Sequence, residues 1–121
     1  MLLTGCVLAL VFRKKFFFED EKGGIAHAQL TYGNAMIMLG TVMGNEYDKY
    51  IKLPDEISGF NTLSLYIVVK DIEAHYQKVK NNGVKICVPL TWQDYGGGDY
   101  TCKDLEGYLW SFGSYDPWAK T

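Results

Sequence analysis

The sequence predicts an α+β fold built from two halves that repeat one order of elements. Three features carry that expectation. Residues 13–40 read as strands separated by glycine turns, and residues 63–112 read as strand–helix–strand–strand–strand. Between them, residues 41–60 follow no period and carry Gly44, Pro54 and Gly59. A chain of 121 residues has the length of a single domain. The expected layout is one domain over 1–121, with module one at about 1–40, a linker at about 41–60 and module two at about 61–118.

Met1 to Phe12 is mostly apolar and uncharged, and Arg13, Lys14 and Lys15 follow it. A secretory signal has its cations before the apolar run, and a membrane span needs about 20 apolar residues, so neither is expected. Leu3-Thr4-Gly5-Cys6 resembles a lipoprotein cleavage box but lacks the basic and apolar segments that precede one. The stretch is read as part of the fold, with VLALVF in the place of module one's helix and that module's first strand missing or very short. The sheet edge left open calls for a partner, either the N-terminus pairing as a strand or a second subunit.

Phe16-Phe17-Phe18 is a β-prone run closed by a charged, glycine-ended turn. IAHAQLTY alternates Ala26, Ala28 and Leu30 with His27, Gln29 and Thr31, a period-two strand. After the Gly33-Asn34 turn, AMIMLG completes a three-stranded meander. In the second half, Leu63 to Val69 is a strand and Asp71 caps a helix. Ile72, Tyr76 and Val79 give that helix its apolar face, His75 is placed in solvent, and Asn82-Gly83 ends it. VKICVPL, GDYTCKD and YLWSFGSY are the remaining strands, with Pro89 marking an edge or bend.

Composition narrows the function classes. Fourteen acidic and twelve basic residues leave a net charge of −2 and no long basic run, which disfavours nucleic acid. The aromatic fraction of 15% supplies core and also flat walls for a cavity. Cys6, Cys87 and Cys102 show neither disulfide nor zinc spacing and are read as free, buried thiols in a reducing cytoplasm. No serine lies in a recognisable triad, and the Gly96-Gly97-Gly98 loop lacks the lysine and helix of a phosphate loop. His27 and Gln29 share the polar face of their strand, which either faces water or lines a pocket. Trp92, Tyr95 and Tyr100 flank the triple glycine, either as a movable flap or as an ordinary hairpin with exposed aromatics.

HAQLTYGNAMIMLG, LYIVVKDIEAHYQKVKNNGVKI and YTCKDLEGYLWSFGSYDPW together resemble the glyoxalase/bleomycin-resistance/dioxygenase superfamily, the vicinal oxygen chelate fold, over about residues 13–118. The Asp104 to Gly107 turn before an aromatic strand is the strongest segment. The resemblance implies two βαβββ modules forming a curved mixed sheet around a cavity, within or between the subunits of a homodimer. It places the family's metal-ligand positions on Met38, Ser64 and Ser111, a thioether and two hydroxyls, and the fourth on the missing first strand. No metal or other cofactor is therefore expected, and glyoxalase or dioxygenase chemistry is not.

With Met38, Ser64 and Ser111 facing inward, strand alternation adds Met36, Tyr66, Val68 and Leu109, and turns Tyr108, Trp110 and Phe112 to the opposite face. His27, Gln29, Trp92 and Tyr100 complete the candidate ligand-binding set. The expected function is metal-free sequestration of an aromatic or cationic organic compound, as in resistance-type members of the family. The alternatives are a metal-independent lyase or isomerase using His27 as acid or base, and a dimeric interaction module with a vestigial pocket. No membrane partner is expected.

Overall fold

A computed structural model describes residues 10–19, 21–22, 25–42, 44 and 46–119. Two sheets carry the fold. In the first, β1 (Arg13–Glu19), β2 (Ile25–Tyr32) and β3 (Ala35–Gly40) form an antiparallel meander in the order β1-β2-β3. In the second, β4 (Leu65–Val68) runs parallel to β7 (Leu109–Gly113), and β6 (Gly98–Lys103) and β5 (Lys85–Trp92) continue antiparallel in the order β4-β7-β6-β5. One helix, α1 (Ile72–Asn81), joins β4 to β5.

The two sheets match strand for strand except at one edge. Module two lays β4 against its last strand, whereas among the described residues nothing pairs with the corresponding edge of β3. Of VLALVF, residues 7–12, the first three lie outside the described residues, as does the fate of the N-terminus; Leu10 and Val11 form a turn instead of the expected helix, with Val11 at φ +73°. Leu10 and Phe12 are buried in the core.

Period-two burial is clearest in β6, where Gly98, Tyr100 and Cys102 are buried and Asp99, Thr101 and Lys103 are not. Leu30, Tyr100, Cys102, Trp110 and Phe112 join Ile72 and Val79 of α1 in one apolar cluster. Phe12 sets its ring against Trp110 (5.8 Å) and Tyr32 (5.9 Å), so the chain entering module one packs on the last strand of module two.

Several local expectations are corrected. The fourth strand starts at Leu65 rather than Leu63, so Ser64 precedes the sheet. His75 is 5% exposed instead of solvated: as residue i+3 from Ile72 it shares the buried face with Val79, and Tyr76 is half-buried beside it. Cys102 is buried as expected, but Cys87 is exposed on β5, an edge strand. The irregular linker, in keeping with a reading that gives it a helical turn, contains two 3₁₀ turns, Glu46–Tyr50 and Pro54–Ile57. Asp71 caps α1 by accepting a hydrogen bond from the Ala74 amide at 3.2 Å.

Candidate functional site

Each sheet keeps one face off the core. On the first, strand register lines up Phe16, Gln29 and Met38 in one row and Phe18, His27 and Gly40 in the next. Phe16, Phe18, Met36 and Met38 are all exposed, an apolar surface unusual for an isolated domain. On the second, Leu109 and Ser111 lie opposite in direction to buried Trp110 and Phe112, as alternation predicts. Tyr66 and Thr101 sit beside Ser111 in register.

At the seam between β3 and the start of β7 is a cavity of about 970 Å³. Phe18, Met38, Phe60, Leu63, Leu65 and Leu109 make its wall largely apolar. His27, Tyr47 and Asp48 add polar groups at its margin.

The outer wall belongs to the linker, and a small set of polar bonds holds it in place. Asp104, 7% exposed, accepts hydrogen bonds from the amides of Glu106 (3.0 Å) and Tyr108 (2.9 Å) and from Trp110 Nε1 (2.9 Å). These bonds shape the Asp104–Gly107 turn and aim β7. Asn61 then bridges linker and turn: its amide nitrogen donates to the Gly107 carbonyl at 3.0 Å, and its oxygen accepts from the Leu109 amide at 3.2 Å. Gly107 has φ +91°, a left-handed conformation that favours glycine, and buried Pro54 packs against it.

Of the ten expected ligand-binding residues, His27, Met38 and Leu109 line this cavity. Gln29, Met36 and Ser111 lie on the open faces beyond it. Tyr66 borders a second depression along β4 together with Ser114 and Asp116. Two expectations fail: Tyr100 is 1% exposed in the core, and Trp92 packs over Gly98, away from both cavities. The triple-glycine loop is pinned, with Gln93 N–H donating to the Gly97 carbonyl at 2.9 Å and Gly98 N–H to Ser114 Oγ at 2.9 Å. Asn61 and the linker apolars Phe60 and Leu63 were not anticipated; the only signal for the latter was apolar residues in an otherwise irregular stretch.

The positions that hold metal in metalloenzymes of this fold offer a poor donor set here. Met38 presents a thioether, Ser64 precedes its strand, and Ser111 Oγ is engaged with Thr101 Oγ1 at 2.7 Å. Among the described residues no group of three or more His, Cys, Asp or Glu side chains could hold a metal ion. The residues present do not fit the family's metal.

His75 is also unavailable as an acid or base for the cavity. Its Nε2–H donates to the Leu10 carbonyl at 3.1 Å, and its Nδ1 accepts from the Tyr100 hydroxyl at 2.6 Å. Burial pushes its pKa below the ordinary imidazole value. Burial also pushes the Cys102 thiol up to about 12, leaving it unreactive.

A three-stranded and a four-stranded sheet that share one strand order, with an apolar cavity at their seam, are the architecture of a small-molecule-binding class of protein. The chain belongs to the Glyoxalase/Bleomycin resistance protein/Dioxygenase superfamily, which it matches over residues 8–112. Among solved structures it is similar to TioX from Micromonospora sp. ML1, with 22% identity, a TM-score of 0.66 and coverage of 91% of this chain and 85% of that one. It is also similar to a bleomycin resistance determinant encoded on transposon Tn5, at 16% identity, TM-score 0.62 and coverage of 94% and 87%. A glyoxalase family protein from Enterococcus faecalis aligns at 19% identity, TM-score 0.57 and coverage of 88% and 81%. At these identities the likeness is one of fold. No curated protein matches the chain at a significant level. No helix among the described residues is long and apolar enough to cross a membrane.

Proposed function

We propose that this protein sequesters an aromatic or cationic organic compound without a metal. The single observation that carries the reading is the apolar seam cavity of about 970 Å³, which is of a size that holds a drug-sized molecule. The thioether and hydroxyls at the family's metal positions support a binder over a Lewis-acid enzyme, and the negative net charge favours cationic ligands. The structural likeness to a bleomycin resistance determinant points the same way. The uncovered row of Phe16, Phe18, Met36 and Met38 supports a homodimer in which a second subunit covers this face. The free thiols of Cys87 and Cys102 suit a reducing, cytoplasmic site of action.

Equilibrium dialysis of proflavine, a planar aromatic cation, tests the reading. Retention of about one molecule per cavity, recovered chemically unchanged and lost in Met38→Asp, is the expected result. Equal partitioning across the membrane at millimolar proflavine counts against it. A second reading, a metal-independent lyase or isomerase, rests on His27 at the cavity margin. It requires turnover that persists in chelator and vanishes in His27→Ala; turnover retained by that variant removes the proposed base.

A further inference from the structure

We infer that the module-two sheet carries a separate subsite for an organic ammonium ion, formed by Tyr66, Tyr95 and Tyr115 around the Asp99 carboxylate. The inference rests on the reading of this open face as a ligand wall. The observations start from register. Asp99 pairs with Gly113 across β6 and β7, and Tyr66 on β4 lies diagonally beside them. A Cβ on Gly113 would overlap the Tyr66 hydroxyl and come within 2.7 Å of its ring, so the tyrosine lies flat over a floor with no side chain. Tyr66 is held there by donating to the Tyr115 carbonyl at 2.9 Å.

From the other side, the Gln93–Gly97 loop brings Tyr95 against Tyr115, with ring centroids 5.3 Å apart and planes at 90°. The edge of one ring therefore abuts the face of the other at a right angle, with the Tyr66 ring beside them. Asp99 accepts from Gln93 Nε2 at 3.1 Å and from the Tyr95 hydroxyl at 3.2 Å, both neutral donors. Among the described residues neither Asp99 nor Asp116 is in an ion pair; the pairs present are Lys49–Glu46 and Lys52–Glu56. Asp99 raises the pKa of Tyr66 and Tyr95 behind the larger effect of desolvation, so its charge is felt at both rings.

The chemistry of the group follows. Ring faces carry negative potential, and a partly buried carboxylate beside them adds a full charge, which together suit a methylated or primary ammonium. The rings reject an anion and give a neutral molecule only contact area. From Leu109 at the seam cavity to Gly113 is four residues of β7, roughly 13 Å. One ligand can place an apolar body in the cavity and a cationic arm on this subsite.

The test uses choline and its uncharged isostere 3,3-dimethylbutan-1-ol, followed by amide NMR titration of the full chain. Choline is expected to shift the amides of Gly97, Gly98 and Tyr115 saturably, with an affinity at least tenfold above the isostere. Asp99→Asn, which keeps the carboxylate's shape and removes its charge, and Tyr95→Leu are each expected to weaken choline at least tenfold while leaving proflavine retention in the seam cavity within twofold. Equal affinity for choline and isostere, or undiminished choline binding in Asp99→Asn, overturns the inference. If choline binds as expected but proflavine is not retained, the seam cavity fails and the ammonium subsite stands.

Discussion

Among the described residues, Asp104 and His75 are the buried polar side chains of the core, and both are hydrogen-bonded for different ends. Asp104 receives three hydrogen bonds that set the turn before β7. Asp104→Ala strips acceptors from two amides and an indole N–H, one of them buried, and is expected to cost about 3 kcal/mol. A fall in the urea midpoint at unchanged m-value checks this. His75 tests the opposite sign of charge. Its folded pKa lies below the ordinary value of about 6.5, so the unfolded chain takes up a proton before the native state does. The stability it contributes is present above that pH and drains away as pH falls towards the folded pKa. In the native state protonation forces Nδ1 to donate, and Tyr100 Oη must then reverse its bond inside the core. Chemical denaturation at pH 7.5 and pH 5 is expected to show a loss that His75→Gln reduces; an equal loss in both proteins contradicts the assignment.

At the scale of elements, strand alternation was legible in the sequence. Leu109 and Ser111 fall to one side of β7 and Trp110 and Phe112 to the other, because a period of two admits no other arrangement once one residue is placed; Tyr108, expected with the latter pair, precedes the strand and lines the seam cavity beside Leu109. Tyr100 adjoins the glycine loop in sequence, but its parity with buried Cys102 turns it into the core. His75 is buried because a helix face spans i+3 as well as i+4. What could not be read at all is the linker's anchorage. Asn61 meets Gly107 and Leu109 across 46 and 48 residues of chain, and nothing local to Asn61 signals that contact. Asn61→Ala is expected to release this wall. Amide exchange over residues 54–63 should quicken by about tenfold, while global stability falls by about 1 kcal/mol. Unchanged exchange there means the linker is held by Pro54 and its apolar neighbours alone.

For the whole molecule, the proposed function rests on the open faces of the two sheets and the seam between them. The repeated order of strands is visible in the sequence. The cavity's location is not, since it depends on how module one packs on β7 through Phe12 and Trp110. Among the described residues nothing pairs with the outer edge of β3, which adds a second demand, since bare strand edges attract partners.

The central claim is that the seam cavity binds an organic molecule without metal, and thermal unfolding with a panel of aromatic and cationic compounds tests it most directly. A ligand at one hundred times its Kd stabilises the folded state by about 2.7 kcal/mol, an upward shift in Tm on the order of 10 °C for a chain of this size. The account predicts that at least one compound raises Tm with the logarithm of its concentration, that EDTA leaves the shift intact and that Met38→Asp abolishes it. No shift from any compound at millimolar concentration, together with a crystal structure in which side chains fill the seam, would contradict it.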